Sequence, residues 1–400
     1  MTILNMSCGQ TDLHPDVLQA LGRQFEGPIY YPPYWRLEVE TIELLRRLMN
    51  TGSEVLLIAG SATYGIEAAL ISLLEPGEKV IVANSGMYGQ VLVDVSRIIG
   101  CHAIDIKAPT GRPVTAEMIT EQLALHPDAA LVAAVHCDTS VGVQTRIDEI
   151  GAMLQTSSSE ALFLVDGVSA AGAVEIRVDD WHIDVYCTSP QKCLNAPQGL
   201  AMVAVGDRAW AKISRRKAPI KTLCTDLTVW RDYHEGVARA HAGGAWSDIS
   251  TATRKAIHGP SPSYSLVAGL NAGLKALFRE GLDHSFARHA IAARAVRAGV
   301  RAMGLGVRAE ESVAAPISTH LEFDRPVDWT ELAGQMLEKH GIALASDFRI
   351  GTMGGSADAR SVLVTLEALE STLVDLGYPV THGVDAAREV LAEGESLWRP

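Results

Sequence analysis

Residues 185–205 read VYCTSPQKCLNAPQGLAMVAV. Two apolar runs, 185–188 and 201–205, flank a polar turn rich in Pro and Gly that holds one lysine, Lys192. Short apolar runs bounded by turn signals read as strands buried on both faces. Lys192 follows one such strand and precedes the other. An ammonium held there has its pKa depressed by burial, the condition that an amine nucleophile needs. The chain uses lysine sparingly, nine against 25 arginines, which singles this one out.

Upstream, strand and helix patterns alternate. Apolar runs at 55–59, 79–83, 102–106, 130–135 and 161–165 read as strands, and helical spacing appears at 38–49, 64–74, 90–99, 116–125 and 147–154. That alternation predicts an α/β fold with a mostly parallel sheet covered on both faces. The regularity fades after Gly206. Residues 217–263, with Gly243-Gly244 and Gly259-Pro260, read as irregular. Helices at 264–280, 285–303 and 329–340, a strand at 318–323 and further short elements to about residue 391 predict a second α+β unit. The expected division is a large domain over 1–260 and a smaller C-terminal one over 261–400, with residues 1–15 a candidate to pack on the small domain.

Polar turns fall at the ends of successive strand candidates. GSATYG at 60–65 offers small residues and hydroxyls at a helix start, a phosphate cradle without the lysine of a P-loop. NSGMYGQ at 84–90 offers an aromatic ring, Tyr88, that stacks on a flat ligand. HCDTSVG at 136–142 adds hydroxyls and a histidine, and Asp166 closes the run 161–165. A carboxylate at the C-terminal end of a parallel strand points into the ligand crevice. Each turn alone has a bland structural reading. Together they supply a phosphate cradle, an aromatic face, an anion for a ring nitrogen and an amine for an aldehyde, the inventory of a pyridoxal 5'-phosphate (PLP) site.

Composition narrows the alternatives. Lys plus Arg is 34 and Asp plus Glu 47, giving −13, and there is no basic run, so nucleic acid is not an expected partner. No stretch approaches the roughly 18–20 apolar residues of a membrane helix. Residues 1–15 lack the basic and apolar regions of a signal peptide. The six cysteines are scattered with no CxxC pair, and the thirteen histidines include no HExxH, so reduced thiols, a cytoplasmic setting and no metal site are expected.

SPQKCLNAPQG at 189–199, LVDGVSAAG at 164–172, HCDTSVGV at 136–143 and Arg349-Ile350-Gly351 resemble the motifs of the class V aminotransferases, the alanine/serine–glyoxylate type of PLP-dependent fold type I. The resemblance runs from about residue 9 to residue 354 and is nearest to the pyridoxamine–pyruvate branch, through residues 207–212 and 287–304. It implies that Lys192 is the Schiff-base lysine and proton shuttle, that Asp166 pairs with the pyridinium nitrogen and that Tyr88 stacks on the ring. Ser61, Ala62 and Thr63 would surround the phosphate with Gln191 beside it, and Thr139 would meet the ring's 3-oxygen. Arg349 would hold the substrate carboxylate. His258 and Ser261 fall where the family takes phosphate ligands from the partner subunit, so a homodimer with shared sites is implied. The implied reaction moves an amino group from a small amino acid or amine to a 2-oxo acid such as pyruvate or glyoxylate.

Two departures from the pyridoxamine–pyruvate branch favour PLP as a bound cofactor over vitamin B6 as a substrate. Ser61 stands where that branch has a glutamate, and residues 341–348 contain no basic residue where it has a second arginine. That branch's reaction is the first alternative, and a non-catalytic B6-binding regulator is the second. A desulfurase is disfavoured, because it needs a cysteine in the C-terminal half and none follows Cys224. The aromatic stretch 30–35 reads either as a loop packed against a partner subunit or as a lid that selects a larger donor.

Overall fold

Seven strands form one sheet in the computed structural model, which describes residues 3–24, 27–243, 251, 262–345 and 347–398. They are β1 Glu54–Ala59, β2 Lys79–Asn84, β3 His102–Lys107, β4 Ala129–Val135, β5 Leu162–Asp166, β6 Val185–Thr188 and β7 Leu200–Val205. Their order is β1-β7-β6-β5-β4-β2-β3. The pairs β2–β3, β2–β4, β4–β5 and β5–β6 are parallel, as the alternating sequence pattern predicts. β7 alone is antiparallel, to both β6 and β1. The turn between β6 and β7 has no helix, and a parallel return needs a crossover of roughly a dozen residues or more. Every residue of β5, β6 and β7 is buried, which is why these strands read as unbroken apolar runs.

Residues 217–263 are not irregular throughout. They contain a 17-residue helix, Leu227–Gly243, which buries Leu227, Trp230, Tyr233, His234, Val237 and Ala240. The spacing is helical, but the stripe is carried by aromatic residues and a histidine among charged neighbours, so it does not look apolar. The aromatic stretch near residue 34 is also helical. Pro32–Met49 is one helix with proline in its first turn, where a missing N–H costs nothing, and Tyr34 and Trp35 are fully buried within the chain's own core.

These two helices close the β1 edge of the sheet. The Leu57 N–H donates to His234 Nε2 at 2.9 Å, so His234 Nδ1 carries the proton and donates to Glu38 Oε1 at 2.8 Å. The Tyr233 hydroxyl donates to Glu38 Oε2 at 2.7 Å. Glu38 is fully buried with both oxygens matched.

The C-terminal region builds a second apolar cluster from Met6 and residues between Ala292 and Leu391. Its sheet pairs Ser318–Glu322 with Gly306–Val307 on one side and Arg349–Gly351 on the other, all antiparallel. The helices Leu282–Ala302, Trp329–His340, Ala359–Asp375 and Val384–Ala392 pack around it. The short elements expected after residue 340 include the 17-residue helix Ala359–Asp375, capped by Asp358, whose carboxylate accepts from the N–H groups of Arg360 and Ser361. The N-terminal strand Leu4–Met6 pairs in parallel with Ile342–Leu344. Among the described residues no helix is long and apolar enough to cross a membrane.

Candidate active site

Strand register brings the polar turns to one edge. Asp166 lies opposite both Val135 and Cys187, Thr188 opposite Met202, Ala59 opposite Leu200 and Ala83 opposite Ala134. The turns that follow β1, β2, β4, β5 and β6 therefore leave the sheet side by side, at the C-terminal ends of its parallel strands.

Lys192 is 7% exposed, and its Nζ donates to the Cys8 carbonyl at 2.6 Å. Burial lowers its pKa, and the Arg349 guanidinium lowers it further. The nearby thiols would oppose this only as thiolates. Burial pushes Cys8 up to about 11 and Cys193 up to about 12, so both are neutral near pH 7. Asp166 supplies the remaining negative field on the lysine.

Asp166 is 5% exposed and accepts one backbone bond, from the Val168 N–H at 3.0 Å. Burial pushes its pKa up to about 6, with Asp138 adding to the shift. Its seat is built by close packing. A Cβ on Gly167 would lie 1.9 Å from the Tyr186 ring, so only glycine lets that ring lie beneath the turn. Tyr186 OH in turn meets His136 Nδ1 at 3.4 Å, and burial lowers the His136 pKa to about 4. His136 is thus a neutral support beneath Asp166.

Four buried polar atoms in this crescent have no hydrogen-bond partner: Asp138 Oδ2, Thr139 Oγ1, Ser189 Oγ and Gln191 Oε1. Each orphan costs roughly 1–3 kcal/mol, and native folds leave few of them. A ligand can satisfy these four, although other buried atoms of the chain, such as Arg297 Nη1 and Thr319 Oγ1, are orphaned too. Acceptors, hydroxyls and a rotatable amide around a buried lysine and an acid fit PLP, which carries an aldehyde, a ring nitrogen, a hydroxyl and a phosphate.

The remaining sequence candidates fall around this crescent. Ser61 caps the helix Ala62–Leu73, its Oγ accepting from the Tyr64 N–H at 3.3 Å. Ser61 and Thr63 are exposed and Ala62 is buried. The first turn of such a helix presents unpaired N–H groups to an anion. Tyr88 is half-buried at the start of the helix Met87–Ile98. That start is pinned by Ser140, whose Oγ accepts from the Met87 N–H at 2.8 Å and donates to Asp138 Oδ1 at 2.5 Å.

Arg349 is 6% exposed and donates from Nη1 to the Thr139 carbonyl at 3.2 Å. Ser318 Oγ donates to the same carbonyl at 3.2 Å. His320, opposite Arg349 in the small sheet, donates from Nδ1 to the Ser140 carbonyl at 2.9 Å. Asp347 and Phe348, just ahead of Arg349, hold left-handed backbone with φ of 62° and 57°, strain of the kind that collects at ligand sites. The turn that presents Thr139 thus joins the small sheet to the large one. His258 and Ser261 lie outside the described residues.

Sequence reading missed the Cys8 carbonyl, Ser318, His320 and Ser189. Ser189 was legible, three residues ahead of Lys192 in the same motif. The others are joined to the site by long-range contacts that no local pattern signals.

The Aminotransferase class-V family model matches residues 38–359. Pyridoxamine–pyruvate transaminase from Mesorhizobium japonicum is 30% identical over 400 residues, spanning 97% of this chain and 96% of that one. The crystal structure of ureidoglycine–glyoxylate aminotransferase from Bacillus subtilis superposes with a TM-score of 0.87 at 30% identity, covering 98% of each chain. That of pyridoxamine–pyruvate aminotransferase from Mesorhizobium loti gives 0.88 at 29%, again over 98% of each.

Proposed function

This chain belongs to the class V aminotransferases, and from that premise we propose that it binds PLP as a cofactor and moves an amino group from a small amino acid or amine to pyruvate or glyoxylate. The observation that carries this reading is the buried Lys192 amine, lowered in pKa, in a turn where Ser189 Oγ and Gln191 Oε1 are buried without partners.

PLP, when bound, supplies an aldehyde for an amine and a ring that withdraws the charge left at the substrate's Cα. Lys192, kept neutral more readily by burial, provides the nucleophile and then the base that takes and returns the Cα proton. Asp166 would hold a proton on the ring nitrogen, and the charge so gained returns its own carboxyl to the ionised form. Tyr88 would lie on the ring and Thr139 Oγ1 would meet its oxygen substituent. Ser61, Thr63, the Ala62 turn and Gln191 would receive the phosphate. Arg349 would clamp the carboxylate that the amino acid and the oxo acid share. The proposal includes a homodimer in which a second copy brings His258 and Ser261 to the phosphate.

The relatives named for glyoxylate and for pyruvate support these acceptors. Free pyridoxamine as the donor is the second reading, favoured by the 30% identity to the pyridoxamine–pyruvate enzyme. A hydroxyl rather than a carboxylate at Ser61, on a helix N-terminus, supports a phosphorylated cofactor instead. The deciding experiment is a donor screen with pyruvate and glyoxylate, run with pyridoxamine as one donor and Lys192→Ala as control. A protein that absorbs in the visible with PLP and turns over amino acids, both lost in Lys192→Ala, is the expected result. A colourless protein active only with pyridoxamine would replace the first reading with the second.

A further inference from the structure

The N-terminal segment is moored at both ends to different parts of the site. At one end Leu4–Met6 pairs with Ile342–Leu344, and the Leu4 N–H donates to the Gly341 carbonyl at 2.8 Å. At the other, the Thr11 N–H donates to the Gln191 carbonyl at 2.9 Å and Thr11 Oγ1 to the Lys192 carbonyl at 2.7 Å. The His14 N–H donates to the Asn195 carbonyl at 3.0 Å, and Asn195 Nδ2 returns a bond to the Asp12 carbonyl at 2.8 Å. The first mooring belongs to the small sheet region and the second to the turn that carries the lysine.

Between the moorings the chain is pressed against the arginine strand. A Cβ on Gly351 would lie 2.3 Å from the Ser7 carbonyl oxygen and 3.1 Å from the Cys8 nitrogen. Backbone thus rests directly on backbone, two residues from Arg349. Cys8 is 3% exposed and sits in an apolar cluster with Cys137, Cys193, Ile317 and Met353. Its carbonyl accepts the Lys192 Nζ proton at 2.6 Å. A neutral amine has two protons and one lone pair, so fixing one N–H confines the lone pair to the two directions that remain.

We propose that Cys8 is a positioning residue: its carbonyl orients the Lys192 amine, and the seating of the Ser7–Cys8 peptide on Gly351 makes that orientation depend on where the Arg349 strand lies. A substrate carboxylate that seats Arg349 would then also seat the base that acts on the same substrate. The inference rests on the transaminase reading, and it adds a reason why the lysine and the arginine act together. The Cys8 side chain is the peg that holds the carbonyl in place, and its loss frees the strap without removing the acceptor.

The test uses the full-length protein and three variants. Cys8→Gly should lower kcat about tenfold in both half-reactions with KM within about twofold, because orientation and not binding is lost. Cys8→Ala, which restores part of the peg, should recover most of that rate. Gly351→Ala should lift the strap. In protein without PLP, iodoacetamide should then alkylate Cys8 at least tenfold faster than in wild type, where Cys224 is the exposed thiol. A Cys8→Gly variant with unchanged kcat, or one whose loss lies in KM, would overturn the proposal. So would Cys8 alkylation at the wild-type rate in Gly351→Ala. If wild type itself neither absorbs with PLP nor transaminates, the transaminase reading fails, while the alkylation arm still decides whether the strap is seated as described.

Discussion

Asp166 and Glu38 are both buried carboxylates beside the same sheet, and they are finished differently. Glu38 has a donor on each oxygen, Tyr233 OH and His234 Nδ1–H, and the far side of His234 satisfies the edge strand at Leu57. Asp166 has a single backbone donor, and its pKa rises to about 6. Around Asp166 lie the orphaned atoms of Asp138, Thr139, Ser189 and Gln191, whereas none of the polar side-chain atoms of Glu38, Tyr233 or His234 is an orphan. A completed polar network stabilises the fold and resists change. An incomplete one, held in place by a rigid sheet, is open to completion by a ligand.

Removing each acid should separate the two roles. Asp166→Ala should slow transamination by roughly 10²–10⁴-fold while leaving the fold at least as stable at neutral pH, since a carboxylate whose ionised form burial disfavours has been removed. A loss below about tenfold, roughly 1.4 kcal/mol, would mean that another group serves the ring nitrogen. Glu38→Ala should do the reverse. It strands two buried donors and should cost about 3 kcal/mol in denaturant unfolding, with the rate per folded molecule unchanged. Lost turnover at wild-type stability would place Glu38 in the site and erase the contrast.

The same contrast has a pH signature. Asp166 titrates near 6 in the folded protein without cofactor, against about 3.9 unfolded. Between those values the folded state holds the extra proton, so this residue's contribution falls as pH rises from about 4 to about 6. Asp166→Asn should therefore flatten the stability profile across that window by about 3 kcal/mol relative to wild type. Parallel profiles for the two proteins would show that Asp166 is not raised. The smallest effect is expected at the small sheet. Arg349→Lys keeps the charge but loses the planar fork, so KM should rise in each half-reaction, by about 1–3 kcal/mol of lost binding. An equal loss with a carboxylate-free amine would make Arg349 a structural ion.

Much of the large sheet was legible because its strands are short, apolar and each followed by a turn of Gly, Ser, Pro or Asp. The crescent was legible for the same reason, since Asp166 and Lys192 sit where the apolar pattern stops. The helix Leu227–Gly243 was missed because its buried stripe is made of Trp230, Tyr233 and His234, and the polar tips of Tyr233 and His234 are satisfied by Glu38 nearly 200 positions away. Pro32 and Pro33 hid a helix start that position in the first turn permits. The Cys8 carbonyl could not be read at all, because a backbone acceptor has no signature in side-chain chemistry. Register alone places His320 beside Arg349, and pairing between strands some thirty residues apart is not written in either strand.

The most direct test of the account is chemical capture of the lysine. The protein would be saturated with PLP, reduced with borohydride, digested and mapped by mass spectrometry. One phosphopyridoxyl group per chain is predicted, on the peptide that carries Lys192, with no preference for that position in protein denatured before PLP is added. Label spread over exposed lysines such as Lys275 and Lys339, with Lys192 unmodified, would contradict it.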